Sequence, residues 1–170
     1  MRLIESFCVS TLSLFLFSIA NAQNLQYQFN HLSEAQIQVL KKSCQFGIKD
    51  NLCYSLSAIA WQESNLGVWI VNFQDKGGGW FGVKVSSAIR RLVPKMRMTK
   101  FNINRVGSWL INNPSFSAKL AIAELKYWLR YWHGNYYKAW GSYNGGYRWN
   151  RRYARAIAKK VRFLKKHLIY

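Results

Sequence analysis

Apolar residues recur at intervals of three and four along most of the chain, a helical period rather than the alternation of strands. Ser33-Glu34-Ala35-Gln36 has the form of a capping box and predicts a helix that ends near Gly47. A second helix is expected from about Leu52 to Ser64. Gly67 to Gly79 reads as a loop with at most a small hairpin, since Val68-Trp69-Ile70-Val71 are strand-forming types. Ser86 to Val93 predicts a short helix stopped by Pro94. Asn113-Pro114 supplies an N-cap and a first-turn proline for a long helix. Its stripe is Ala118, Ala121, Ile122, Leu125, Trp128, Leu129 and Trp132, and Gly134 closes it. A short helix from Tyr136 to Trp140 leads into a turn at Tyr143-Asn144-Gly145-Gly146. Asn150 caps a terminal helix with the stripe Tyr153, Ile157, Val161, Leu164 and Leu168. The fold class expected is mainly α.

The first 22 residues follow a different rule. A short basic start precedes an apolar run from Phe7 to Ala20, and Ala20-Asn21-Ala22 has the A-x-A form of a cleavage site. The run falls short of the roughly 20 apolar residues that a membrane span needs. The expectation is a cleaved secretory signal peptide over residues 1–22 and one domain over 23–170.

Export changes what the cysteines mean. Cys44 and Cys53 would meet an oxidising compartment, where a bridge closing a short loop between two helices competes with a pair of buried thiols. The histidines (His31, His133, His167) are scattered without metal-ligand spacing, and neither a metal nor a cofactor is expected.

Charge narrows the chemistry further. Among 170 residues, Lys and Arg number 25 and Asp and Glu only 6, a formal net charge of +19. The acidic residues are Glu5, Glu34, Asp50, Glu63, Asp75 and Glu124, too few and too dispersed for a calcium or two-metal site. Glu63 is the conspicuous one. Leu52, Leu56, Ile59 and Glu63 are spaced 4, 3 and 4 apart and share one helix face. A carboxylate on an apolar face is buried, at a cleft mouth or at a frayed end. Burial disfavours the charged form and keeps a carboxylic acid protonated, ready to donate to a glycosidic oxygen. An ordinary solvent-facing glutamate at a helix end is the alternative.

The letters around Glu63 add a resemblance. Ala58-Ile59-Ala60-Trp61-Gln62-Glu63-Ser64-Asn65-Leu66-Gly67 resembles the catalytic segment of the lysozyme-like soluble lytic transglycosylases (the SLT-domain family). Gly79-Trp80-Phe81-Gly82 is similar to that family's Gly-Leu-Met-Gln segment, and Ala139 to Gly146 to its Ala-x-x-x-Tyr-Asn-x-Gly segment. Three motifs in order cover roughly Ser33 to Lys166. The resemblance implies a lysozyme-like helical domain. It makes Glu63 the single acid/base, with Tyr143 orienting its carboxyl and Asn144 contacting the sugar. Gly79 would let the backbone approach the glycan, and Ser64 would support the site. Gly82 departs from the pattern, standing where the family often has Gln. Trp61 and Trp80 are candidates for stacking on sugar rings.

The reaction so implied cleaves peptidoglycan between N-acetylmuramic acid and N-acetylglucosamine without water, leaving a 1,6-anhydro end. The rival is hydrolysis by two carboxylates, with Asp75 the acidic residue shortly downstream of Glu63 in the loop region. A second class of reading is a non-catalytic cationic binder. Nine basic residues lie between Arg148 and Lys166, on a helix whose other face is apolar. Such a face would attract anionic wall polymers or a membrane surface, or simply stand in solvent. Basic and aromatic residues also interleave at Tyr147-Arg148-Trp149, a nucleic-acid-like pattern against which the export signal argues. The place of action expected is the bacterial periplasm or cell wall.

Overall fold

The computed structural model describes residues 24–72, 77–92 and 96–168. The chain divides into two units, Met1–Ser33 and Glu34–Tyr170. In the first, residues 24–30 are helical, and the expected signal peptide lies outside the described residues. The second unit holds every candidate site and is mainly α.

It opens with α1 (Glu34–Gly47), a single 3₁₀ turn at Ile48–Asp50 and α2 (Cys53–Ser64). Three two-residue strands follow: β1 (Val71–Asn72), β2 (Gly77–Gly78) and β3 (Val83–Lys84). They form an antiparallel sheet in the order β1-β2-β3, pairing Val71 with Gly78 and Gly78 with Val83. Helices α3 (Val85–Leu92), α4 (Lys100–Asn112), α5 (Pro114–Tyr131), α6 (Tyr136–Gly145) and α7 (Arg151–His167) complete it.

Helix α2 is the hub, packing on α1, α5 and α7. Residues 55–61 are all buried, so the helix is enclosed on every side rather than along the one face its Leu52-Leu56-Ile59 spacing suggests. Its small residues allow that close packing, and its serines find partners inside. Ser57 Oγ donates to the Leu40 carbonyl at 2.9 Å, and Ser55 Oγ accepts from the Trp140 indole at 3.1 Å. A buried hydroxyl left without such a bond costs about 1–3 kcal/mol. Cys44 and Cys53 form a disulfide joining the end of α1 to the start of α2.

Capping signals in the sequence correspond to helix starts. Asn113 Oδ1 accepts from Phe116 N at 2.9 Å, Asn135 from Lys138 N at 3.0 Å, and Asn150 from Tyr153 N at 3.0 Å. Beyond α5, the His133 amide bonds the Arg130 carbonyl and the Gly134 amide the Leu129 carbonyl, the two bonds of a Schellman motif. His133 takes the left-handed position there at φ 49°.

Two elements differ from expectation. Helix α4 was not foreseen, because only Val106 and Leu110 are buried along it and Asn and Gly interrupt its sequence. Helix α6 runs on to Gly145, so Tyr143 and Asn144 lie in its last turn and not in a loop between helices.

Candidate functional site

Glu63 stands one residue from the end of α2, half-buried. That end is clamped. The Ser64 hydroxyl, fully buried, lies 3.0 Å from the Ala60 carbonyl and 2.8 Å from the Trp80 carbonyl, and accepts from the Gly67 amide at 2.9 Å. Gln36 bonds the Asn65 carbonyl at 3.1 Å. Asn65 and Leu66 then take left-handed backbone angles, φ 48° and 58°, which costs about 1–3 kcal/mol at each such residue unless surrounding contacts impose it. The glutamate is therefore delivered from a fixed position, not from a frayed end. Ser64 is the staple that fixes it.

The carboxylate lines a narrow recess with Gly82, Val83, Lys84, Ser87, Glu124, Tyr143 and Asn144. The recess holds about 40 Å³, room for a few waters. Five of its residues also line an adjoining cavity of about 620 Å³, within the size range of small-molecule sites. Arg90, Tyr127, Trp128 and Tyr147 are among the other residues that line the larger space. Folding thus brings Glu63, Tyr143 and Asn144 to one cleft, although 80 positions separate the first two.

Two of the polar wall residues, Tyr143 and Asn144, are held by hydrogen bonds. The Tyr143 hydroxyl donates to the Phe81 carbonyl at 2.8 Å. That leaves its oxygen to act as an acceptor toward a protonated carboxyl. Burial first, and then the charges of Glu63 and Glu124, hold the Tyr143 phenol well above its ordinary range. Asn144 Oδ1 accepts from Asn150 Nδ2 at 2.9 Å, which ties the cleft wall to the residue that caps α7.

Gly82 packs directly on the acid. It adopts φ 59°, and a Cβ there would lie 2.4 Å from Glu63 Oε2. The departure from the family's Gln is thus the position where the loop backbone presses on the carboxylate and leaves no room for a side chain.

Other expected residues lie elsewhere. Gly79 does not line the cleft. It is buried, and a Cβ there would stand 2.3 Å from the Leu110 carbonyl and 2.5 Å from Ser117 Oγ, so its absent side chain serves packing against α4 and α5. Gly77 and Gly78, read from sequence as loop, are buried strand residues. Trp61 is 5% exposed and sits in the core against Phe163, with the Lys160 ammonium 5.7 Å from its ring centre. Trp80 packs by Gly67 and Phe81 and is not part of the cleft lining. Asp75 lies outside the described residues.

Sequence reading missed two members of the site. Tyr153, assigned to a core stripe, has a buried hydroxyl with no well-formed hydrogen bond, and it lies under the influence of Glu63. Burial, the Glu63 charge and interaction with its carboxylate raise this phenol as well. Glu124 lines both parts of the cleft and accepts from the Trp128 indole at 2.6 Å. Its signal was present: Ala121, Glu124, Leu125 and Trp128 are spaced along one buried stripe, the pattern that singled out Glu63. Among the described residues no group of three or more His, Cys, Asp or Glu converges as a metal site would require.

No protein-family model matches the chain. No solved structure matches it either. It is similar to a protein described as an uncharacterized 20.7 kDa protein in the vs-regB intergenic region of Enterobacteria phage T4. The two are 29% identical over 155 residues, spanning 88% of this chain and 82% of that protein.

Proposed function

We propose that this chain is a lytic transglycosylase that cleaves the glycan strands of peptidoglycan, with Glu63 as the single general acid and base. The observation that carries the reading is the convergence of Glu63, Tyr143 and Asn144 on one cleft, the residues and order that the family resemblance implies. A clamped, half-buried carboxyl that lines a cleft is a candidate proton donor.

In the proposed reaction the Glu63 proton passes to the oxygen joining N-acetylmuramic acid to N-acetylglucosamine. The C1–O bond breaks, its electron pair leaves with that oxygen, and C1 of the muramic sugar becomes electron-poor. The Glu63 carboxylate then takes the proton of the same sugar's C6 hydroxyl as O6 bonds to C1. The products are a free N-acetylglucosamine end and a 1,6-anhydromuramic end. Water is not consumed, and no cofactor enters any step.

Exported action in the bacterial periplasm or wall belongs to the same proposal. A Cys44–Cys53 disulfide and the apolar leader support it, since such bridges persist in oxidising compartments. The stripe Arg152, Arg155, Lys159, Arg162 and Lys166, opposite the buried face of α7, supports contact with an anionic wall polymer or membrane surface.

Hydrolysis by two carboxylates is the second reading, and the presence of Glu124 in the cleft is the observation in its favour. Product ends separate the two. Mass spectrometry of muropeptides released from purified sacculi should show anhydro ends for the transglycosylase and reducing ends for the hydrolase. Glu63→Gln should abolish either.

A further inference from the structure

Large apolar side chains left in solvent are concentrated on two segments away from the cleft. Val68, Trp69 and Val71 lie on the stretch that runs into β1, and Met98, Phe101 and Trp109 lie just before and along α4. Trp69 is 69% exposed and Phe101 70%. The two segments are neighbours across one glycine. Gly78 pairs with Val71, and a Cβ on it would stand 3.3 Å from Ile111 Cγ1 and 3.7 Å from the Ile70 carbonyl.

Helix α4 turns little of itself inward. Val106 and Leu110 are its buried residues, whereas Phe101, Arg105 and Trp109 recur at every fourth position and are exposed. Arg105 stands between the two rings, its guanidinium carbon 5.8 Å from the centre of Phe101 and 4.9 Å from that of Trp109. Arg97 and Lys100, at the start of the helix, are exposed as well. Neither residues 64–72 nor residues 96–112 contain an Asp or a Glu. The face is therefore aromatic and purely cationic. None of these residues lines either part of the cleft, so the rings stand outside any hollow that would receive a partner's side chain.

We propose that this face docks the protein on an anionic phospholipid membrane, with Trp69, Phe101 and Trp109 entering the headgroup layer and Arg97, Lys100 and Arg105 meeting the lipid phosphates. Tryptophan and phenylalanine settle at that depth, where an apolar ring meets a wet, polar boundary. Charge complementarity selects the occupant. A second copy of a chain of net charge +19 would bring like charge to like, whereas an anionic leaflet attracts each cation near its surface. A guanidinium held between two rings carries its charge to the depth the rings reach, and its planar donors match phosphate oxygens. The face differs from the basic stripe of α7, which offers charge for adsorption without exposed tryptophan. The proposal stands apart from the Glu63 reading and survives or fails without it.

The test mixes the full chain with vesicles of phosphatidylglycerol and phosphatidylethanolamine, and in parallel with vesicles of phosphatidylcholine alone. Binding is read by flotation, and insertion by quenching of tryptophan fluorescence with lipids brominated on their acyl chains. Residues 1–22 contain no tryptophan, so quenching reports on the folded domain alone. The parent should float with the anionic vesicles and be quenched, and should bind phosphatidylcholine at least tenfold more weakly. Phe101→Ser should weaken the quenched complex about tenfold, and Arg105→Gln about fivefold. Replacing Trp69 and Trp109 together by Phe keeps aromatic rings in place, so flotation should persist while most of the quenching disappears.

Flotation without quenching overturns the proposal and leaves adsorption by charge alone. Quenching that is undiminished in the Trp69→Phe, Trp109→Phe chain overturns it by placing the inserted surface elsewhere. A parent that ignores anionic vesicles overturns it outright. Two other occupants have their own signatures. A dimer in sedimentation that Phe101→Ser dissolves, without vesicle quenching, assigns the face to a second copy. Retention on sacculi that requires Trp69 and Phe101, again without quenching, assigns it to stacking on sugars. Either result overturns the membrane assignment.

Discussion

Replacing Gly82 by alanine probes the contact between loop and acid with a single methyl group. Two effects act at once. An L-residue at φ 59° costs about 1–2 kcal/mol, which at roughly 4 °C per kcal/mol for a domain of this size lowers Tm by about 4–8 °C. The added Cβ would also stand 2.4 Å from Glu63 Oε2 and 3.0 Å from Glu63 Cβ, where ordinary contact begins at 3.4 Å. Helix α2 is enclosed on all sides and cannot retreat, so the carboxylate must swing by about 1 Å, a misplacement that can cost about 10²-fold in rate. Gly79→Ala is the contrast. Its Cβ meets backbone, the Leu110 carbonyl at 2.3 Å, so α4 must shift, and overpacking adds about 1–3 kcal/mol to the dihedral cost. Thermal unfolding and muropeptide release are measured on the same samples. Gly82→Ala should lose activity out of proportion to stability, and Gly79→Ala should lose stability while each folded molecule keeps its turnover. A Gly82→Ala chain that cleaves sacculi at the parent rate refutes the placement of Gly82 against the acid.

Three further outcomes follow from the same contacts. Reducing or replacing Cys44 and Cys53, nine positions apart, should cost about 2.5–3 kcal/mol by loop-closure entropy, seen as a lower Tm with activity retained well below it; an unchanged Tm counts against the bridge. Asn150→Ala removes both the cap bond to Tyr153 N and the bond to Asn144, and should lower stability by about 1–2 kcal/mol in urea unfolding. Tyr143 and Tyr153 both have folded-state values raised above that of the unfolded phenol. Their contribution to stability is therefore fully present below about pH 10 and lost as pH rises beyond it. Tm measured between pH 8 and 11.5 should fall at the alkaline end, and less so in Tyr143→Phe; identical profiles in the two chains would contradict the assignment.

What could be read along the sequence divides by the range of the interactions involved. Asn113-Pro114, Asn150 and the stripe from Tyr153 to Leu168 are visible because a cap and a helical face are set by neighbours within one or two turns. Helix α4 was hidden because it rests on the core through Val106 and Leu110 alone. The end of α6 was hidden because Gly141 and Gly145 look like turn residues. They are helical glycines that make room, since a Cβ would stand 2.9 Å from the Trp149 ring at Gly141 and 2.8 Å from the Asn150 amide at Gly145. In the site, Glu63 was legible as an acid on an apolar face, and the same rule would have found Glu124. Trp61 and Trp80 mark where local reading fails. Whether an indole faces a cleft or the core depends on α7 and on the loop at Gly67, which pack there from elsewhere in the chain. Gly79 teaches the same lesson, because only the approach of Leu110 shows why no side chain fits.

The central claim is that the acid at position 63 cleaves a wall glycan by an internal route. Its most direct test is mass spectrometry of sacculi digested in parallel by the parent chain, by Glu63→Gln and by Asp75→Asn. The account predicts 1,6-anhydromuropeptides from the parent, none from Glu63→Gln, and most of the parental yield from Asp75→Asn. Reducing ends throughout, or equal release by the parent and Glu63→Gln, would contradict it.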